Sequence, residues 1–275
     1  MTAQARADIA TARRVVVKVG SSSISGEESW RIPMLVHALA DAHRAGIEVT
    51  LVSSGAIATG MPYLNLDSRP TDLATQQAAA AVGQNVLVFR YQEALRPFHI
   101  VAGQVLLTAH DLENPTARSN ARRAMERLLG LRILPIVNEN DTVATHEIRF
   151  GDNDRLAALV ARLIGADALI LLSDIESLYT KPPQEEGAEP IDTIHPDDDL
   201  SELQFGSAVV NTVGTGGAAT KVSAARLAAS SGIGVLVTSA DNVAAALRGE
   251  NIGTWFSPAD VDRETVTGAI DMVDA

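Results

Sequence analysis

The chain has 275 residues, 46% of them hydrophobic and 20% charged, a formal net charge of −12 and no cysteine. That length is enough for a full core, no apolar run approaches the roughly 18 residues of a membrane-spanning helix, and the missing thiols exclude disulfides, thiolate metal sites and cysteine nucleophiles. The acidic balance argues against a nucleic-acid partner, whose phosphates most of the surface would repel.

In chain order, residues 1–13 mix Ala with Arg and Asp and lack the continuous apolar core of a secretory signal. They are expected to be a flexible leader, and the chain cytoplasmic, with no membrane partner. Val15 to Val19 begins a series of short runs rich in Val, Ile and Leu that continues with Glu48 to Val52, Ile100 to Leu106, Ile133 to Val137, Ala168 to Leu172 and Gly234 to Val237. Such runs suit parallel strands buried on both faces. Helical patterns lie between them. Ile32, Leu35, Val36 and Leu39 recur at helical spacing, and Gly46 follows as a stop. Thr71 or Asp72 can cap a long helix toward Arg96 that Pro97 closes, and Asn120 to Leu129 and Arg155 to Ile164 supply two more. Alternating strands and helices predict an α/β fold, a mostly parallel central sheet with helices on both faces. Lys181 to Leu200, Pro-rich and acidic, reads as an irregular excursion or a small hairpin.

Ligands of open α/β sheets collect at the C-terminal ends of the strands, and five such ends here carry polar residues. Lys18 sits inside the apolar run Val15-Val16-Val17-Lys18-Val19 and is followed by Gly20-Ser21-Ser22-Ser23. A buried ammonium needs a partner, and a loop offering backbone N–H groups suits the same anion. Ser53-Ser54-Gly55 opens a further helix, a cradle for carboxylate or phosphate. Asn138-Glu139-Asn140-Asp141 and Gly151-Asp152-Asn153-Asp154 fall within one strand-to-helix connection and offer donors and acceptors suited to a zwitterionic amino acid. Ser173-Asp174 ends another strand. Gly214-Thr215-Gly216-Gly217-Ala218-Ala219-Thr220-Lys221 delivers a lysine to a helix start and reads as a glycine-rich phosphate cradle, with neither Walker A nor Rossmann spacing. The six histidines form no H-E-x-x-H pair, and no G-x-S-x-G elbow occurs, so no resident metal site or serine hydrolase is expected.

Over roughly Arg14 to Pro258, these five elements in this order resemble the amino-acid kinase superfamily. Val-Ser-Ser-Gly-Ala-Ile, Asn-Glu-Asn-Asp-Thr-Val and Phe-Gly-Asp-Asn-Asp are similar to its glutamate 5-kinase branch. The resemblance implies a three-layer sandwich with one kinase domain at 14–258. Residues 259–275 would be a C-terminal tail too short for the RNA-binding-type PUA domain that many members carry. It implies transfer of the γ-phosphoryl of ATP, with Mg²⁺, to the side-chain carboxylate of L-glutamate. Lys18, Asp154 and Lys221 would be catalytic, and Ser54, Asp141 and Asn153 would bind glutamate. ATP would be held by Lys18, Ser173, Asp174, Thr215, Gly216, Gly217, Ala218, Ala219, Thr220 and Lys221. Within the glutamate site, Asp141 is expected to meet the ammonium, leaving Asn153 and Ser54 to bind carboxylates by neutral hydrogen bonds. A homo-oligomer, feedback by proline and a downstream glutamyl phosphate reductase are further implications. Ser177 and Ala218 depart from the usual Gly and Met of the pattern. The rival readings are an acetylglutamate, aspartate or UMP kinase of the same superfamily, or a sensor that binds both ligands without turnover.

Overall fold

The computed structural model describes residues 2–24, 28, 30–144, 153–200 and 217–261. Its elements are β1 (Arg14–Lys18), α1 (Arg31–Arg44), β2 (Glu48–Val52), α2 (Ala56–Gly60), α3 (Leu73–Leu95), β3 (Ala102–Leu107), α4 (Ala109–Glu113) and α5 (Pro115–Gly130). Then follow β4 (Leu134–Glu139), α6 (Asn153–Leu163), β5 (Ala168–Ser173), β6 (Thr193–Ile194), α7 (Ala218–Ala229), β7 (Gly234–Ser239), α8 (Val243–Leu247) and β8 (Thr254–Phe256). The strands form one eight-stranded sheet in the order β3-β4-β2-β1-β5-β7-β8-β6. All neighbours are parallel except β7 and β8.

Period-two alternation divides the core between the two faces of this sheet. Val15 and Val17 of β1, Ile170 of β5 and Leu236 of β7 join α1, α3 and α8 on one side. Val16, Leu169, Leu171, Val235 and Val237 join α5, α6 and α7 on the other. The expected three-layer α/β sandwich is therefore present. Local chemistry sets the helix ends as expected: Asp72 caps α3 by accepting from Thr75 N at 2.8 Å, and Asn114 caps α5, whose first residue is Pro115.

Between α2 and α3 the backbones touch. A Cβ on Gly83 would lie 1.8 Å from the carbonyl oxygen of Ala56, and one on Gly60 would lie 1.9 Å from that of Ala79. Two glycines facing each other thus bring α2, and the loop that leads into it, against the middle of α3.

The structure departs from one expectation. Within the segment expected to be a flexible leader, Ala3, Ile9 and Ala12 are buried in the first core, and Arg6–Thr11 forms a 3-10 helix. Asp8 accepts from the backbone N–H groups of Gln4 and Ala5. Arg6 reaches Asn251 Oδ1 at 2.6 Å and the carbonyl of Gly253 at 3.1 Å, and pairs with Asp192 at 3.0 Å, so the segment is pinned to the β6–β8 edge. The excursion at Lys181 to Leu200 contains the small hairpin expected as one of its two readings, with Thr180 N donating to the Glu189 carbonyl at 3.0 Å and Ile191 N to the Leu178 carbonyl at 2.8 Å. It supplies the edge strand β6, which pairs parallel with β8, and an isolated bridge between Tyr179 and Pro190.

Candidate active site

Lys18 is the last residue of β1 and points to the same face as Val16, two residues before it, so its ammonium emerges over the α6–α7 layer at the C-terminal edge of the sheet. Asp154 is the second residue of α6, where a carboxylate gains from the unpaired N–H groups and positive end of the helix. Lys221 lies in the first turn of α7. These three residues, far apart in sequence, meet: Lys18 Nζ stands 2.5 Å from Asp154 Oδ1, and Lys221 Nζ 3.0 Å from Asp154 Oδ2. Lys18 is 2% exposed, Asp154 0% and Lys221 7%. One carboxylate thus holds two buried ammonium groups at the C-terminal edge of the sheet, an arrangement whose cost in desolvation is large unless pairing is close. Thr220 adds a hydroxyl that donates to the Gly217 carbonyl at 2.8 Å and lies 3.4 Å from Asp154 Oδ2. A Cβ placed on Gly20 would stand 3.9 Å from Lys18 Nζ, in ordinary van der Waals contact with it.

Beside the triad runs a second polar array. Asn138, near the end of β4 and 1% exposed, donates through Nδ2 to Gln84 Oε1 of α3 at 2.6 Å. Its Oδ1 accepts from Glu139 N at 2.9 Å and from Asn153 Nδ2 at 2.7 Å. Asn153 Nδ2 also donates to the carbonyl of Ser53 at 2.6 Å. The Ser53 hydroxyl in turn meets the Tyr91 hydroxyl of α3 at 2.9 Å. Burial raises the Tyr91 pKa above its ordinary value, which keeps this phenol neutral, while the bond to Ser53 acts in the opposite sense. Gly55 follows at φ 85°, a left-handed conformation suited to glycine, and turns the chain from β2 into α2.

Of the residues expected from sequence, Lys18, Asp154 and Lys221 come into direct contact, and Asn153 adjoins them as the first residue of α6. Ser54 is half-buried in the β2–α2 turn, next to the Ser53 carbonyl that holds Asn153, and Asp141 is half-buried in the turn after β4. Ser173 ends β5, buried, and donates to the exposed Asp174 at 3.1 Å. Gly217, Ala218, Ala219 and Thr220 form the start of α7, whereas Thr215 and Gly216, with the Phe150 to Asp152 part of the acidic motif, lie outside the described residues. Both side-chain N–H groups of Asn153 are engaged within the protein, by the Ser53 carbonyl and by Asn138 Oδ1. Gln84 and Tyr91 were missed. The signal for them was their spacing of seven on the same inward face of α3 as Ala80 and Leu87.

Among the described residues no cluster of three or more His, Asp or Glu side chains is arranged to hold a metal ion. Asp154 is turned to its two lysines, so the carboxylate serves as a holder of cationic side chains.

The family model described as "Amino acid kinase family" matches residues 13–239. The chain belongs to the amino acid kinase family. Within that family it is 68% identical over 259 residues to a glutamate 5-kinase of Leifsonia xyli, covering 94% of this chain and 96% of that one. A glutamate 5-kinase of Clavibacter michiganensis is 67% identical, covering 94% and 99%. One from Thermobifida fusca is 54% identical over 93% of this chain and 67% of its own length. Among solved structures, the carbamate kinase of Giardia lamblia bound to AMP-PNP superposes with a TM-score of 0.65 at 16% identity, covering 91% of this chain and all of that one. That likeness extends the amino acid kinase fold across the sheet and both helical layers.

Proposed function

We propose that the protein is an ATP-dependent glutamate 5-kinase, catalysing the first step of proline biosynthesis. The observation that carries this reading is the 67–68% identity to glutamate 5-kinases over nearly the full length of both chains. The buried triad of Lys18, Asp154 and Lys221 supports it chemically. A glutamate side chain has an ordinary pKa of about 4.3, so at neutral pH it is already an anionic nucleophile and needs no general base. One carboxylate oxygen attacks the γ-phosphorus of ATP as the bond from that phosphorus to the bridging oxygen breaks, giving ADP and γ-glutamyl phosphate. The obstacle is electrostatic: two anions must approach while charge builds on the transferring group. Lys18 and Lys221 supply fixed positive charge there, and Asp154 keeps both heads in place. Mg²⁺ enters with ATP as part of the co-substrate and shields its phosphates.

In this reading Ser173, Asp174 and residues 215–221 hold the nucleotide, while Ser54, Asp141 and Asn153 hold glutamate. The acyl phosphate product is labile in water and passes to a glutamyl phosphate reductase, and proline competes for the glutamate site. The exposed side of α3, where Ala74, Ala78, Ala81 and Phe89 flank a single polar residue, Asn85, supports a homo-oligomer, since a largely apolar face favours being covered. No described helix is long and apolar enough to cross a membrane, in keeping with action in the cytoplasm.

The test is ADP release, which is expected to require both L-glutamate and Mg²⁺. Equal or faster turnover with N-acetylglutamate, aspartate or UMP would overturn the assignment. A second expected result concerns Asp141, assigned to the substrate ammonium. Asp141→Asn keeps the shape and removes the charge, and is expected to raise KM for glutamate at least about tenfold with KM for ATP nearly unchanged. Equal shifts in both constants would reject that assignment.

A further inference from the structure

The amide array beside the triad has its direction fixed at both ends by backbone groups. The Ser53 carbonyl can only accept, so the atom of Asn153 that lies 2.6 Å from it is the amide nitrogen. The Glu139 N–H can only donate, so the atom of Asn138 that lies 2.9 Å from it is the amide oxygen. Between these ends, Asn153 Nδ2 gives its second hydrogen to Asn138 Oδ1, and Asn138 Nδ2 gives one to Gln84 Oε1. Asn153 therefore has both donors spent inside the protein. Its one remaining side-chain group is the oxygen, which makes no hydrogen bond to another described residue.

Gln84 decides whether this arrangement holds. Asn138 is 1% exposed, so without Oε1 of Gln84 its Nδ2 would lose a hydrogen-bond partner in a place that water scarcely reaches. The side chain would turn toward another acceptor, and any such turn carries Oδ1 away from Asn153. Gln84 is itself 8% exposed and sits on the long, internally packed helix α3, which fixes its position.

Resting on the assignment of Asn153 to the glutamate site, we infer that Gln84 is a positioning residue. It pins Asn138, Asn138 pins Asn153, and Asn153 meets the substrate with its amide oxygen. An amide oxygen accepts from an ammonium and repels a carboxylate, so this relay selects substrates that carry a free α-amino group. Asp141 supplies the charge that attracts the ammonium, and Asn153 supplies a directed neutral acceptor.

The experiment compares L-glutamate with glutarate, the same dicarboxylate without the amino group, used as a competitor of glutamate. In the wild type, in Gln84→Met and in Gln84→Glu, the quantity read is the Ki of glutarate divided by the KM of glutamate. Gln84→Met keeps side-chain length and removes the acceptor, and is expected to lower that ratio about tenfold, with KM for ATP little changed. Gln84→Glu keeps an oxygen in reach of Asn138 Nδ2 and is expected to hold the ratio within about threefold of wild type. A purely structural role would weaken glutamate and glutarate by the same factor and leave the ratio unmoved, and that result overturns the inference. So does a Gln84→Glu variant as damaged in the ratio as Gln84→Met. Wild-type protein that turns over no glutamate would remove the functional reading instead, which separates the two failures.

Discussion

Replacing Asp154 with Ala is expected to lower kcat by at least about 10²-fold, a loss of about 2.7 kcal/mol or more in transition-state stabilisation. Asp154 holds Lys18 at 2.5 Å and Lys221 at 3.0 Å, and neither lysine has free access to water. Without the carboxylate the two ammonium groups repel each other and, on the proposed function, leave the positions where charge develops during transfer. The defect belongs in kcat because a fixed cation matters most when the transferring phosphoryl carries its greatest charge on its outer oxygens. Lys221→Ala should show a drop of the same order by removing one of the two cations. Steady-state kinetics decide the matter: variants that alter only KM would show that the triad binds without acting on the transition state. Asp154→Ala carries a second signature, because removing one member of a buried ionic cluster leaves uncompensated charge and costs about 3–5 kcal/mol of stability. A thermal melt measures it separately from the rate.

The other large effect is expected at the α2–α3 crossing. Gly83→Ala adds a carbon that would sit 1.8 Å from the Ala56 carbonyl oxygen and 2.6 Å from the Gly60 nitrogen, both backbone atoms that cannot rotate aside. The helices must separate, which costs roughly 3 kcal/mol, the upper part of the range for overpacking. Against that, Ala in mid-helix gains only about 1 kcal/mol over Gly. The net result is a melting temperature lower by several degrees. Because α2 begins just after Ser53, whose carbonyl holds Asn153, KM for glutamate is expected to rise in the same variant. Gly130→Ala is the control, since an added Cβ there meets nothing within 4 Å. If Gly83→Ala proves as harmless as Gly130→Ala, the close crossing is not what seats α2.

The six longer runs of Val, Ile and Leu all became strands, five of them buried on both faces of the sheet and the sixth, β3, partly buried at its edge. Thr193–Ile194 and Thr254–Phe256 escaped notice because two and three residues carry no period, and their pairing is decided by partners distant in the chain. The N-terminal segment misled because its buried residues, Ala3, Ile9 and Ala12, are diluted by charged neighbours. What holds it down, Arg6 on Asn251 and Asp192, is a tertiary contact with no local signal. At the site, Lys18 was legible because it interrupts an apolar run with a group that needs a partner, Lys221 because it follows a glycine-rich turn, and Asp154 only through the family resemblance. Gln84 and Tyr91 were not, since a Gln and a Tyr inside a long helix look like ordinary half-buried positions until the neighbouring strand ends are in place.

The triad also has a consequence for the order in which the protein matures. Lys18 comes from the first strand, Asp154 from the middle of the chain, and Lys221 lies another 67 residues on. Contacts of such sequence separation form slowly, because the intervening chain must be closed into a loop before they return any stability. A nascent chain that has emerged only as far as β5 can already pair β1, β2, β4 and β5, yet it lacks the second lysine. On the proposed function, catalytic competence is a late event in synthesis, and in refolding experiments recovery of activity is expected to trail recovery of helical signal.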